Sequence, residues 1–227
     1  MTWDEIFTAY YSQFRADSDV PSSTDAEYTV GLRMANEAIK YWENYDGTLW
    51  NELFDTNNGD GTGAQTIVSG QDKYTAPTNF KKAGGFVRVY DTDGNMRAHF
   101  PIVDAQDAQF YTDTKSYCYF TGDPKNGYTL HLNPTPTDDI NDMTFDYDYY
   151  KTATLLTTGT SVPEMSNPYF IVHRILANEF RAARNPYYTS ANADALNAIK
   201  VMQIDNNSGS WANPPQFNDT SGTVWGK

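Results

Sequence analysis

The longest apolar stretch in this polar chain runs from Pro163 to Arg184, PEMSNPYFIVHRILANEFRAAR, and it limits the possible folds more than any other segment. Proline-bearing start signals open it, first at Pro163 and then at Asn167-Pro168, and the remainder has helical spacing. Its apolar side chains cover more than one narrow stripe: Ile171, Val172, Ile175, Leu176 and Phe180. A helix with so broad an apolar surface is buried against several neighbours. We therefore expect it to be the hub on which N-terminal helices and a central β region pack.

Two amphipathic helices are predicted before this hub. Thr2 and Glu5 form a capping box at the start of the first, and Thr24 and Glu27 repeat the signal for the second. The first helix has aromatic residues at Trp3, Phe7, Tyr10 and Phe14, and the second has one apolar face at Tyr28, Leu32, Ala35, Ile39 and Trp42. After an interruption at Gly47, one more helical turn is expected up to residue 54.

A fourth helix is predicted after the hub. Asn185-Pro186 ends the hub helix, and Ser190 is the expected cap of the next. The apolar face of this fourth helix is Ala191, Ala195, Ile199 and Met202. A second possible cap for the hub itself is the pair Ser161 and Glu164.

Between the helical segments the periodicity becomes that of strands. Phe86–Tyr90 and Met96–Val103 flank an Asp-Gly turn, which predicts a hairpin. Ser116–Phe120 and Tyr128–Leu132 predict a second hairpin, and Met143–Thr154 alternates as a half-buried strand. The order of elements predicts an α+β fold: a helical bundle with an inserted antiparallel β region.

The predicted organisation is one domain followed by an arm. The domain spans residues 1–207, with helices within 2–54 and 163–205 and the β insertion at 64–156. Residues 208–227 are expected to be a flexible C-terminal arm, because they are polar and rich in Gly, Pro, Ser and Asn. The arm nevertheless contains Trp211, Phe217 and Trp225. Large aromatics in such a tail are typical of a segment that orders on a partner; the alternative is that they fold back on their own domain.

The charge of the chain is strongly acidic and uneven. A net charge of −13 argues against a protein that grips nucleic acid, which needs clusters of Lys and Arg. Residues 101–150 carry nine aspartates against two lysines, a net charge of −7, whereas residues 166–200 have a net charge of +2. The helical end, with Arg181 and Arg184, is therefore suited to an acidic partner or to the acidic part of another copy.

Motifs of catalysis and cofactor binding are absent from the sequence. There is no HExxH, GxSxG, phosphate loop or GxGxxG, and the loop DTNNGDGTG at 55–63 departs from the spacing of a calcium loop. His99, His131 and His173 lie on separate predicted elements, and Cys118 has no flanking sign of an activated thiolate. We predict no enzyme, no cofactor and no metal site, although a carboxylate pair of the glycosidase kind is compatible with the many acids.

Signals for membranes and secretion are also missing. No apolar run reaches the roughly 18 residues of a membrane span. The acidic start Met1 to Glu5 lacks the order of a signal peptide. Cys118 is the only cysteine, so an internal disulfide is impossible. We expect no membrane association.

Several stretches resemble the head-to-tail adaptor (neck or ring) proteins of tailed bacteriophages. They are MTWDEIFTAYY at the start, ANEAIKYWENYDGTLW at 35–50, YDYYKTATLL at 147–156 and PEMSNPYFIVHRILA at 163–177. The likeness covers residues 1–205 as a pattern and contains no chemical signature.

The resemblance implies a non-enzymatic virion protein in the neck of the particle, assembled in the host bacterial cytoplasm. It implies a ring of about twelve copies under the portal protein, a closed cyclic assembly that extends the DNA channel and docks the tail or nozzle protein. DNA would pass through without specific binding. It also implies that a terminal arm reaches the portal, here the segment with Trp211, Phe217 and Trp225.

Two other functions are compatible with the residues. One is a carbohydrate-binding or tail-associated recognition module of a phage particle, which would use exposed, coplanar aromatic side chains. The other is a hydrolase with two acids in a cleft.

Overall fold

The structure, a computed structural model, describes residues 1–15, 19–57, 65–111 and 116–208. These residues form four α-helices and eight β-strands, which confirms the predicted α+β class. The helices are α1 (Trp3–Arg15), α2 (Ala26–Glu43), α3 (Tyr169–Ala182) and α4 (Tyr188–Ser208). The strands are β1 (Phe54–Thr56), β2 (Gln65–Thr66), β3 (Lys73–Thr75), β4 (Phe80–Tyr90), β5 (Met96–Pro101), β6 (Tyr117–Asp123), β7 (Gly127–Asn133) and β8 (Thr144–Lys151).

The chain divides into two compact units, and the division falls inside α2. The first unit contains the described residues within 1–38, 158–161 and 165–208. The second contains residues 39–157 and 162–164. The bundle arrangement and the single adaptor domain of 1–207 stay predictions.

Helix α3 is the central helix of the first unit. It contacts α1, as predicted, and also α4; the predicted packing of a central β region against it stays a prediction. Its buried side chains are Phe170, Ile171, Val172, Ile175, Leu176 and Ala177. Because these residues cover most of the helix circumference, α3 can bury one side against α1 and another against α4.

The start of α3 is the second of the two predicted starts. Asn167 Oδ1 accepts the backbone N–H of Tyr169 at 3.2 Å, and Pro168 is the N-cap. The capping box predicted for Ser161 and Glu164 is wrong. Ser161 Oγ accepts the N–H of Thr158, and the Glu164 carboxylate accepts the N–H of Thr154.

The first turn of α1 is capped as predicted. The Thr2 N–H donates to Glu5 Oε2 at 2.8 Å, and the Glu5 N–H donates to Thr2 Oγ1 at 3.4 Å. Two further N–H groups of this end, those of Trp3 and Asp4, donate to carbonyls of the 158–161 turn at 2.8 and 3.0 Å. The turn therefore satisfies donors that a helix start leaves unpaired.

The starts of α2 and α4 contain polar contacts other than the predicted ones. Before α2, the Asp25 carboxylate accepts the Ser22 N–H at 2.7 Å, and the box at Thr24 and Glu27 stays a prediction. Helix α4 begins at Tyr188, so Ser190 lies inside the first turn, where its hydroxyl donates to the Tyr187 carbonyl. At both helix starts, several polar residues that can cap a helix lie close together in the sequence. The sequence pattern alone therefore does not show which of them makes the capping contact.

The second unit contains two antiparallel sheets. The larger has the order β1-β8-β4-β5, with β2 also paired to β8, and the smaller has the order β3-β7-β6. Both predicted hairpins are confirmed, as β4–β5 and β6–β7. The sheets meet where the Val103 N–H donates to the Cys118 carbonyl at 2.9 Å.

The core of this unit lies between the two sheets. The predicted inward face of β8, Phe145, Tyr147 and Tyr149, is fully buried. Rings from both sheets are in contact: Phe120 of β6 lies 4.6 Å from Phe80 of β4 and 5.2 Å from Tyr147, between ring centroids. Aromatic side chains therefore make up nearly half of the buried residues in the core of the second unit.

The segment after α2 contains a correction. One more α-helical turn was expected to include residue 54, but the chain forms 3-10 turns at Tyr45–Gly47 and Asn51–Leu53 and then strand β1. Phe54 and Thr56 pair with Tyr150 and Asp148 of β8. Backbone pairing with a strand far along the sequence thus decides the structure here.

Candidate interaction surfaces

The two arginines predicted to lie between subunits are both on the surface. Arg181 is in the last turn of α3 and Arg184 follows its end; both side chains are exposed. Within the described part of the chain, neither side chain makes a hydrogen bond or an ion pair. Both are therefore available to a partner.

Arg184 ends α3 in an unusual backbone conformation. Its φ is +51°, in the left-handed region. Its N–H donates to the Arg181 carbonyl at 3.2 Å, and the Asn185 N–H donates to the Phe180 carbonyl at 2.8 Å. This pair of bonds is a Schellman motif, in which glycine is the favoured residue at the left-handed position. An arginine in this left-handed conformation is therefore less favourable in conformational energy than a glycine.

The three aromatic residues predicted to bind the portal, Trp211, Phe217 and Trp225, lie outside the described residues. Helix α4 runs to Ser208, beyond the predicted end at 205, so it reaches the start of the predicted arm. The role of the arm therefore stays a prediction.

An ion-pair network lies on the outer face of the larger sheet. Arg88 of β4 donates from Nε to Asp146 Oδ1 at 2.6 Å and from both terminal nitrogens to Asp148, each at 2.9 Å. Thr56 of β1 donates to the same Asp148 carboxylate at 2.9 Å. Burial opposes the charge of Arg88, but its hydrogen bonds to Asp148 and Asp146 outweigh this effect and raise its pKa. The network joins three adjacent strands.

Exposed aromatic side chains flank this network. Phe54 meets Tyr150 edge-on, with ring centroids 5.5 Å apart and an interplanar angle of 68°. On the other side, Phe86 meets His99 at 5.7 Å. Aromatic side chains and arginine together are enriched in protein interfaces, so this outer face is a candidate docking surface.

The first unit contains an open pocket of about 180 Å³. Its wall is mostly apolar, and two glutamates complete it. The lining residues are Phe7, Tyr10, Tyr11, Phe14, Ala26, Glu27, Val30, Gly31 and Glu179. Gly31 allows a close approach here, since a Cβ at this position would lie 2.7 Å from Phe7 Cε2.

The histidines and the cysteine are not assembled into a site. His131 stacks on Tyr119 at 4.7 Å, and its Nε2 lies 2.7 Å from Thr121 Oγ1. His99 is on the other sheet, and His173 is on α3. Cys118 is fully buried, and burial raises its pKa to about 12, which disfavours the reactive thiolate.

Neither a metal cluster nor a spanning helix is found in what the structure describes. Among residues 1–15, 19–57, 65–111 and 116–208, no three side chains of the His, Cys, Asp and Glu types are placed to hold a metal ion. Of the region 55–63, only 55–57 is described, and Asn57 Oδ1 accepts the Tyr147 N–H at 2.8 Å. None of the described helices has the length and hydropathy to cross a membrane.

A protein-family model described as SU10 adaptor protein matches residues 1–215. The chain therefore belongs to the SU10 adaptor protein family, a phage head-to-tail adaptor family. No curated protein matches the chain.

Family membership defines the general role. The family is structural and is not known as enzymatic. It implies a location in the neck of the virion and interaction with portal and tail proteins. The resemblance predicted from the sequence is thus confirmed at the level of the family.

Sequence reasoning missed two of these surfaces. It placed Asp146 and Asp148 among the acids of the β region but did not pair them with Arg88, which lies 58 and 60 residues earlier. It also did not predict the pocket, which combines residues of α1 and α2 with Glu179 of α3. The aromatic spacing of α1 was the one local signal for it.

Proposed function

We propose that this chain is the head-to-tail adaptor that forms a ring under the portal, extends the DNA channel and docks the tail or nozzle. The observation that carries the proposal is the family match over residues 1–215. Assembly would occur in the host bacterial cytoplasm, with about twelve copies in a closed cyclic ring.

The charge of the chain supports a channel role. A net charge of −13 disfavours tight contact with DNA phosphates, so DNA would slide through the ring without specific binding. A ring also needs two different faces that fit each other. The exposed Arg181 and Arg184 supply a positive face, and the acidic surplus of the chain supplies candidates for the opposite face.

The arm supplies the proposed contact with the portal. Trp211, Phe217 and Trp225 are large aromatic anchors of the kind that dominate binding energy in protein interfaces. We assign them to the portal, as the resemblance implies.

The recognition-module alternative is less well supported. Sugar platforms need exposed rings that lie flat beside each other. The exposed Phe54 and the half-buried Tyr150 on the larger sheet meet edge-on, at 68°. These two rings therefore do not form a flat platform for a sugar.

The test is native mass spectrometry of the chain alone and mixed with the portal protein of the same genome. We expect the chain to join the portal in about twelve copies. A matched mixture with an unrelated portal controls for non-specific association. If the chain does not bind its own portal at any salt concentration, the adaptor role is wrong. A glycan screen would then test the recognition-module alternative.

A further inference from the structure

The pocket of the first unit has the size of a side-chain site. Its volume of about 180 Å³ lies below the roughly 300–1,000 Å³ of small-molecule sites. It is open to solvent and is formed by α1, α2 and α3. It therefore fits a single side chain of another protein better than a whole ligand.

The chemistry of the pocket selects a cation. The half-buried Phe14 and the largely buried Phe7, Tyr10 and Tyr11 line the pocket, and aromatic rings attract ammonium and guanidinium groups. Glu179 adds a carboxylate that is half-exposed and has no hydrogen bond or ion pair with any described residue. Aromatic faces beside a carboxylate suit arginine in particular, because a guanidinium stacks and also forms ion pairs.

Arg184 has the properties of the incoming group. Its side chain is exposed, and it does not line the pocket of its own copy. It also occupies a left-handed position, φ +51°, where glycine would be easier to accommodate. Strained residues of this kind are concentrated at functional sites, so the guanidinium is a candidate for a contact that outweighs the local cost.

The acids of the larger sheet are less suitable partners for Arg184. Asp146 and Asp148 already form ion pairs with Arg88 of the same chain, at 2.6 and 2.9 Å. The pocket carboxylate of Glu179 has no such internal partner. Charge complementarity therefore favours the pocket.

We propose that the aromatic pocket of each copy receives the Arg184 guanidinium of the next copy in the ring, with Glu179 as its counter-ion. The proposal rests on the ring-forming function proposed above and names its subunit contact. Glu179 and Arg184 lie five residues apart at the C-terminal end of α3. A head-to-tail ring therefore requires that neighbouring copies meet along this one edge, each offering its pocket to one neighbour and its Arg184 to the other.

The test uses two charge-reversal variants of the full chain, Glu179→Arg and Arg184→Glu, each mixed with the portal. Alone, each variant places like charges in the contact, and we expect complete rings to fall roughly ten-fold or more. An equimolar mixture of the two variants can alternate around the ring. Every contact then has opposite charges, so we expect ring formation to recover to within about two-fold of wild type.

Three controls separate assembly from folding. Thermal unfolding of each variant shows whether the fold is intact. Glu37→Arg makes the same charge change on the exposed surface of α2 and should leave rings unchanged. Arg184→Gly removes the guanidinium but suits the left-handed backbone, so it should lose rings while it stays folded.

The outcomes are distinguishable. If wild type forms rings and both variants do so equally well, or if the mixture assembles no better than each variant alone, the pocket contact is wrong while the adaptor function stands. If wild type itself does not join the portal, the adaptor function and this contact both fail. If the two variants together form dimers rather than rings, the head-to-tail arrangement is wrong.

Discussion

The Tyr28 hydroxyl donates a hydrogen bond of 2.6 Å to Asp4 Oδ1 and so joins the first turns of α2 and α1. Tyr28 is almost fully buried, and its ring also contacts Phe7 at 4.9 Å. Burial raises the pKa of Tyr28 to about 12, and the hydrogen bond and charge of Asp4 act in the same direction. The folded state therefore favours the neutral phenol.

This contact predicts a dependence of stability on alkaline pH. The stabilisation is complete below the unfolded pKa of about 10 and is lost as the pH rises through the folded value of about 12. Tyr28→Phe should lower the free energy of unfolding by ~1 kcal/mol at neutral pH. It should also make the free energy of unfolding fall less steeply as the pH rises between these two pKa values. Urea unfolding at a series of pH values measures both. Tyr187→Phe, at a side chain that is 67% exposed, is the control and should change neither.

The Arg88 network predicts a large effect of one substitution. Arg88→Ala leaves two neighbouring aspartates without their cation, so we expect the free energy of unfolding to fall by ~1–3 kcal/mol. Arg97→Ala is the matched control, because the exposed Arg97 of β5 pairs with a single aspartate, Asp91, at 2.7 Å. Arg97→Ala should lower the free energy of unfolding clearly less than Arg88→Ala does. Equal losses in chemical denaturation would mean that the network contributes no more than a surface pair.

For the substitution Gly31→Ala, helix propensity and packing are predicted to act in opposite directions. Alanine is favoured over glycine inside a helix by ~1 kcal/mol. At Gly31, however, the added methyl group would lie 2.7 Å from the buried ring of Phe7. We expect Gly31→Ala to destabilise the protein by a net ~1–2 kcal/mol in thermal unfolding. Gly84→Ala, where the nearest atom is 4.0 Å away, should not destabilise comparably.

The left-handed backbone of Arg184 predicts that replacing this residue by glycine does not lower the stability of the protein. The left-handed conformation costs an L-residue ~1–2 kcal/mol, and glycine avoids this cost but loses more entropy on folding. We therefore expect Arg184→Gly to leave the free energy of unfolding unchanged or to raise it by up to ~1 kcal/mol. Arg181→Gly, inside the last turn of α3, should lower it. A clear destabilisation by Arg184→Gly would show a structural role for the arginine.

The arm predicts a binding defect without a folding defect. Replacement of Trp211, Phe217 and Trp225 by alanine should weaken association with the portal at least about ten-fold, the effect of losing interface anchors. The melting temperature should not change. Phe110→Ala, at a described aromatic side chain that is 76% exposed, is the control. Unchanged portal binding of the arm variant would show that the contact lies elsewhere.

Local patterns were sufficient for the four helices and for five of the eight described strands, β4 to β8. Period-two alternation identified the inward residues of β8, and helical spacing identified the apolar faces of α1, α3 and α4, because burial of one side repeats with the geometry of each element. The Thr2 and Glu5 capping box was also predictable, since both partners lie within one helical turn. The resemblance in these stretches pointed to the correct family.

Contacts between distant residues were decided only in the folded chain. Strand β1 forms because Phe54–Thr56 pairs with Asp148–Tyr150, and Arg88 is neutralised by two acids that are 58 and 60 residues away. The left-handed turn at Arg184 and the pocket beside Glu179 likewise depend on how α3 ends and what packs against it. A periodic pattern tells which side of an element is buried, but the partner that buries it is selected by the packing of the folded chain.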